Sequence, residues 1–172
     1  MENIVLKSAG INDALRISIL LKTVYIQVYG LEGVTFEFAN FIDAQFSEDK
    51  IATTISENPN QLLVAYYNRN PVGVAEVLHN STCPIRKVKV PELGKLYVLE
   101  RFYGKGIGFR LLNLVEEQLK QKGFGELNLE VYINNKRAVS FYERQGYRTL
   151  GEVDFPMEEN TYRNLVMNKA FI

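Results

Sequence analysis

Cysteine and histidine each occur once in this chain of 172 residues, tryptophan is missing, and 20 basic side chains are balanced by 20 acidic ones. Cys83, standing alone, rules out a disulfide within the chain. His79, near the end of an expected strand and without a companion, reads as a structural or surface residue rather than a catalytic base. Zero net charge removes the electrostatic case for nucleic acid, whose binders carry a basic surplus. Long apolar runs are lacking too. The best of them, ALRISILLKTVYIQVYG, is interrupted by Arg16 and Lys22 and falls short of the roughly 20 apolar residues that a membrane span needs. The first residues, MENIVLKSAG, have no charged-then-apolar leader pattern, so the expected location is the cytoplasm. With no linker rich in Gly, Ser or Pro and with 47% hydrophobic residues, residues 1–172 are expected to form a single domain.

Periodicity then supplies the elements. IVLKSA reads as a strand, followed by a helix capped by Asn12 or Asp13 with Leu15, Ile19, Leu20 and Val24 at helical spacing. One or two helices are expected from Thr35 to about Glu57, their apolar faces supplied by Phe36, Phe38, Phe41, Ile42 and Phe46. Gln61–Tyr67 and Val72–Leu78 read as a hairpin around Asn68, Asn70 and Pro71. TCPIRKVKVPEL reads as a loop at the sheet edge and ELGKLYVL as the next strand. A helix over Gly108–Lys122, a strand ELNLEVYI, a short helix in NKRAVSFYERQG and two closing strands complete the order βααβββαβαββ. Such an order predicts an α/β fold, a mixed and largely antiparallel central sheet flanked by helices.

The stretch LERFYGKGIGFRLLNLVEEQL places Gly104, Gly106 and Gly108 between a strand and a helix. Bare backbone N–H groups there, with the positive end of the helix dipole, suit an anion, and Arg101 and Lys105 add charge for a phosphate or pyrophosphate. The other reading is a turn that lets the helix pack closely. A nucleotide-hydrolase loop would follow its second glycine with Lys and then Ser or Thr, and the dinucleotide fingerprint would space its glycines as G-x-G-x-x-G. Ile107 follows Gly106 and the glycines are spaced evenly by two, so neither pattern is met.

The pattern that is met is R-x-x-G-x-G, from Arg101 to Gly106, after the strand KLYVL. A second segment, NKRAVSFYERQGY, matches N-x-x-A-x-x-x-Y-x-x-x-G-[FY] with Asn135, Ala138, Tyr142, Gly146 and Tyr147. In these two segments the chain resembles the GCN5-related N-acetyltransferase (GNAT) superfamily. The resemblance implies acetyl transfer from acetyl-CoA to a primary amine without a covalent enzyme intermediate or a metal. It places the pyrophosphate on Arg101, Gly104, Lys105, Gly106, Ile107 and Gly108, and the pantetheine arm beside Leu96, Tyr97, Val98 and Leu99. It further implies a Val98 N–H on the thioester carbonyl, Tyr142 as acid for the departing thiolate and Asn135 at the cofactor arm. By its residue type Asn135 also suits a helix cap, a role that Asn134 shares.

An alkylammonium must lose a proton before it attacks, so a base is required. Glu92 lies where many relatives place a carboxylate, with Glu76 and Glu130 on the flanking strands as rivals. DFPMEENTYRNLVMN, NPVGVAEV and LYVLERFYGKGIG resemble the bacterial polyamine acetyltransferase branch, which implies spermidine or spermine as acceptor. Glu152, Asp154, Glu158 and Glu159 supply charge that would attract such a polycation. Rival readings are a protein lysine or N-terminal acceptor, an antibiotic amine, and a non-catalytic acyl-CoA-binding module. The resemblance also implies a dimer through a sheet edge.

Overall fold

The computed structural model describes residues 3–171. Two compact units alternate along the chain, one made of Met1–Glu76 and Lys95–Val115, the other of Val77–Gly94 and Glu116–Ile172. Seven strands lie in the order β1-β2-β3-β4-β5-β7-β6. They are β1 (Ile4–Ser8), β2 (Leu62–Tyr67), β3 (Asn70–Thr82), β4 (Lys89–Val98), β5 (Glu126–Tyr132), β6 (Arg148–Pro156) and β7 (Thr161–Ala170). The helices are α1 (Ala14–Tyr29), α2 (Phe36–Gln45), α3 (Glu48–Glu57), α4 (Ile107–Gln121) and α5 (Lys136–Arg144). β4 and β5 run parallel, joined at Glu92↔Asn128 and Leu93↔Leu129, whereas β1–β2, β2–β3, β5–β7 and β6–β7 are antiparallel. The fold is therefore the expected mixed, largely antiparallel α/β architecture. Among the described residues no helix is long and apolar enough to cross a membrane.

In the first unit β2 reads LLVAYY and is buried almost throughout, the mark of a strand covered on both faces. One cover is α4. A Cβ built on Gly73 of β3 would lie 3.1 Å from the Tyr97 carbonyl and Val98 Cγ2 and 3.3 Å from Leu111 Cδ1 of α4, so a bare residue lets strand and helix close together. The other cover comes from α1 and α2, because strand side chains alternate and Tyr97 meets Tyr25 of α1.

Several expected details change. α1 buries Ala14, Ile17, Leu20, Leu21 and Val24, while Leu15 and Ile19 stand about half exposed on its outer side. Neither Asn12 nor Asp13 caps it. Ile11–Asp13 form a short 3-10 turn, and the Asp13 carboxylate instead accepts hydrogen bonds from the Gly10 N–H, Arg16 and the Tyr66 hydroxyl. The Phe-rich stretch splits in two because Ser47 caps a new helix, accepting from the Lys50 N–H at 3.3 Å, which makes three helices before β2. Phe36, just after the Thr35 cap of α2, is 91% exposed. The hairpin turn is tighter than expected, two left-handed residues, Asn68 and Arg69, between paired Tyr67 and Asn70. TCPIRKVKVPEL is no edge loop. A turn from Cys83 to Val88 joins β3 to β4, both interior strands, and Val90, Pro91 and Leu93 are buried despite the intervening charges.

The second unit is tied by a buried carboxylate. Glu116 of α4 accepts from the Tyr147 hydroxyl at 3.0 Å and pairs with Lys169 of β7 at 2.6 Å. Burial, then the Glu116 charge, pushes the Tyr147 phenol above its usual value, so it stays a hydrogen-bond donor. Glu116→Ala strips both partners of their acceptor and is expected to cost about 3 kcal/mol, read as a lower urea midpoint.

Asp13 gives a pH signature. Burial works against its charge, but the Tyr66, Gly10 and Arg16 hydrogen bonds outweigh it and hold the carboxyl below its ordinary value. A depressed folded value stabilises the protein above the unfolded carboxylate pKa of about 3.9 and loses that contribution as pH falls through the folded value. Asp13→Asn is expected to lower the urea midpoint at pH 7, and the gap to the parent protein should close as unfolding is followed to progressively lower pH.

Candidate active site

β4 ends at Val98, and Glu100–Phe102 make one 3-10 turn closed by Phe102 N–H to Leu99 O at 2.8 Å and Tyr103 N–H to Glu100 O at 2.9 Å. The chain then passes through Gly104 at φ +70° and Gly106 at φ +74°, a region that disfavours a side chain. A Cβ at either would meet no heavy atom within 4 Å, so the demand for glycine is one of backbone conformation, with open space around it. The Arg110 N–H bonds to Gly106 O at 3.0 Å and opens the ladder of α4, one residue earlier than the expected start at Gly108. The N–H groups of Ile107, Gly108 and Phe109 therefore precede the first intrahelical bond. Arg101 and Lys105 are exposed beside this turn, Lys105 Nζ lying 4.8 Å from the centre of the Phe102 ring.

Just upstream, the Leu99 N–H donates to Val72 O on β3 at 2.9 Å. N–H directions alternate along a strand, so the Val98 N–H, and that of Leu96 with it, points to the opposite edge of β4. Leu93 is the last β4 residue in the parallel register with β5, and Leu96, Tyr97 and Val98 follow it. Leu96 through Gly108 thus form one continuous piece of the first unit: strand edge, left-handed glycine turn, helix start.

Glu92, Asn135 and Tyr142 belong to the second unit. Asn135 is the cap of α5, its Oδ1 accepting from the Ala138 N–H at 3.1 Å, and its side-chain NH₂ is separate from that bond. Asn134 turns away, donating to the Tyr132 hydroxyl. Tyr142 is 8% exposed, its ring 5.3 Å from Phe141 and 5.7 Å from Tyr147. Gly146, at φ +90°, closes the helix behind it. Glu92 is half-buried and accepts a hydrogen bond from the Ser81 hydroxyl. Glu130 keeps an exposed side chain, yet the protein around it raises its pKa, the Glu92 charge adds to the rise, and the Asn164 amide at 3.5 Å offsets only part of it.

The remaining candidates are occupied. Glu76, buried on β3, is ion-paired with Lys95 and accepts from Gln61 Nε2 at 3.0 Å. His79 lies 3.0 Å from Lys122 Nζ, and burial followed by that charge lowers its pKa, which keeps the ring neutral. Cys83 is 1% exposed in an apolar cluster with Val90 and Val166. In the acidic tail, Arg163 already pairs with Glu152 and Asp154, at 3.4 and 3.6 Å. Sequence reasoning missed Ser81 as the partner of Glu92, Lys95 as that of Glu76, and the close approach at Gly73. The glycine within the strand pattern NPVGVAEV was the available signal for the last.

A family model described as Acetyltransferase (GNAT) family matches residues 26–147. An uncharacterised N-acetyltransferase of Methanocaldococcus jannaschii is 36% identical over 84 residues, 49% of this chain and 37% of that protein, so the match spans well under half of the relative's length. A spermine/spermidine N(1)-acetyltransferase of Bacillus subtilis is 30% identical over 74 residues, 42% of this chain and 49% of that one. Among solved structures, the PaiA N-acetyltransferase of Thermoplasma acidophilum in complex with coenzyme A superposes with a TM-score of 0.76 at 21% identity, covering 98% of this chain and 99% of that one.

Proposed function

We propose a direct acetyl transfer from acetyl-CoA to a primary amine for this chain, which belongs to the acetyltransferase (GNAT) family, with residues 1–172 acting as one catalytic domain. The observation that carries the reading is the run from Val98 to Gly108. It offers an outward strand N–H, two left-handed glycines with open space around them, and then the unpaired N–H groups of a helix start.

Acetyl-CoA supplies an acetyl thioester when bound. The N–H groups of Gly104 through Gly108 cradle the pyrophosphate, and Arg101 and Lys105 neutralise part of its charge. Leu96, Tyr97, Val98 and Leu99 hold the pantetheine arm through main-chain groups, as an added strand is held, and the Asn135 amide meets the same arm. The Val98 N–H donates to the carbonyl oxygen as negative charge develops on it, an interaction worth about 3 kcal/mol where such donors have been removed. Glu92 takes the proton that the acceptor ammonium must lose, its other oxygen being held by Ser81. The amine nitrogen then bonds to the carbonyl carbon as the carbon–sulfur bond breaks, Tyr142 gives its phenolic proton to the departing sulfur, and the second proton lost by the amide nitrogen returns through solvent to the Tyr142 phenolate. A free phenol, with a pKa of about 10, is a weaker acid than a thiol of about 8.5, so position decides this step more than acidity.

A polyamine acceptor has the Bacillus subtilis relative in its favour. Against it, Arg163 already compensates two of the four acidic residues thought to attract a polycation. The acceptor class supported by both is a primary amine.

Gly106→Val sets a β-branched residue at φ +74° and is expected to raise the KM for acetyl-CoA about tenfold or more while the circular dichroism spectrum stays unchanged. An unchanged KM would remove the cradle. Tyr142→Phe keeps the ring in its packing and is expected to lower kcat about a hundredfold with little effect on the KM for acetyl-CoA. An undiminished kcat in that variant would leave Tyr142 a packing residue.

A further inference from the structure

The first unit holds an array of aromatic rings around Tyr25. Its ring centre lies 4.5 Å from Tyr29, 5.2 Å from Phe46, 5.4 Å from Phe41, 5.5 Å from Phe38 and 6.3 Å from Tyr97. Phe38 and Phe46 are buried beneath, whereas Tyr25, Tyr29, Phe41 and Tyr97 keep part of their surface open. The connection from α1 to α2 carries two further exposed apolar side chains, Leu31 at 79% and Val34 at 58%. A partly open floor of rings next to exposed aliphatic side chains is unusual for a surface that serves folding alone.

Two carboxylates beside the array are ion-paired. At its β4 end Lys95 lies 5.8 Å from the Phe46 ring and pairs with Glu76, whose other oxygen is taken by Gln61. At the helical side Asp43 of α2 pairs with Lys22 of α1 at 3.0 Å. Glu76 has both oxygens engaged, and Asp43 shares one of its own with Lys22. Tyr97 connects the array to the reacting end, because it precedes Val98 in the strand and presents its side chain to α1.

We infer that the acceptor is a primary amine carrying a bulky apolar substituent, aromatic or branched aliphatic, which packs on Tyr25, Tyr29, Phe41 and Tyr97. This rests on the acetyl-transfer reading above and narrows its acceptor. A flat hydrocarbon group gains from burial and from offset or edge contact with these rings. A polyamine would bring further charges to a surface whose Glu76 and Asp43 already have cationic partners.

The test uses the full chain with acetyl-CoA and three acceptors, phenethylamine, propylamine and spermidine, following thiol release. In parallel, saturation-transfer NMR measures phenethylamine binding to the coenzyme A-loaded protein. The expected kcat/KM for phenethylamine exceeds that of both other amines by about tenfold or more, the scale on which apolar pockets discriminate. Phe41→Ala, and Tyr29→Leu as the variant of milder packing change, should shrink that ratio toward one and leave the KM for acetyl-CoA in place. Spermidine or propylamine used as well as phenethylamine, or a ratio intact in both variants, overturns the aromatic subsite while acetyl transfer stands. If no amine is acetylated, the transfer reading falls. The subsite then stands on an NMR signal that Phe41→Ala abolishes, and falls without one.

Discussion

Leu99 gives its backbone N–H to the Val72 carbonyl, and the direction of everything at the end of β4 follows from that bond. Because strand N–H groups alternate, the Val98 N–H is turned to the other edge, and because side chains alternate, Tyr97 is turned to α1 while Val98 lies against the Gly73 and Leu111 side. The same strand end leads through one 3-10 turn into Gly104 and Gly106, whose left-handed backbone delivers the chain to the start of α4. A side chain at Gly73 would push on both the strand end and the helix, since its Cβ would come within 3.3 Å of each. The outward Val98 N–H, the left-handed glycine turn and the ring array are thus three consequences of how one strand is held by its neighbour.

Carboxylates divide by whether the fold has already answered them. Asp13, Glu76 and Glu116 are buried and fully engaged, with Arg16 and Tyr66, with Lys95 and Gln61, and with Lys169 and Tyr147. Breaking such a set leaves a desolvated group without a partner, which makes these residues supports of the fold. Glu92 and Glu130 differ. Ser81 holds Glu92 and Asn164 holds Glu130, both neutral, and no cation neutralises the pair within the hydrogen bonds and ion pairs described. Glu130 accordingly binds its proton more tightly, by desolvation and by the neighbouring Glu92 charge. A carboxylate with neutral partners can accept a proton from an ammonium group, and this is the environment the proposed chemistry needs.

Much of this was legible in the residues themselves. Gly104, Gly106 and Gly108 announced a bare backbone between a strand and a helix, and the first two adopt positive φ. Asn135 has the residue type of a cap and caps α5, while R-x-x-G-x-G and N-x-x-A-x-x-x-Y pointed to the family whose model matches residues 26–147. Elements with strong local signals, such as LLVAYY and the leucines of α4, fell where periodicity put them. Local signals failed where contacts distant in sequence prevailed. Asp13 abandons its capping role because Tyr66, 53 residues away, and Arg16 compete for its carboxylate. The hydrophobic Leu15 and Ile19 stay outside because the buried stripe of α1 runs through Ile17, Leu21 and Val24. The charged turn before β4 hid an interior strand, since Arg86 and Lys89 mask the buried Val90 and Leu93.

The sequence by itself determined where the backbone is bare between β4 and α4, the type and order of most elements, and which family the chain joins, because those rest on residue type and short spacing. Only the tertiary structure decided which carboxylates are neutralised, which edge of β4 carries the Val98 N–H, and that Tyr25, Tyr29, Phe41 and Tyr97 share one face. Charge compensation and ring contact act over a few ångströms in space, and the partners that meet at that range lie tens of residues apart in the chain.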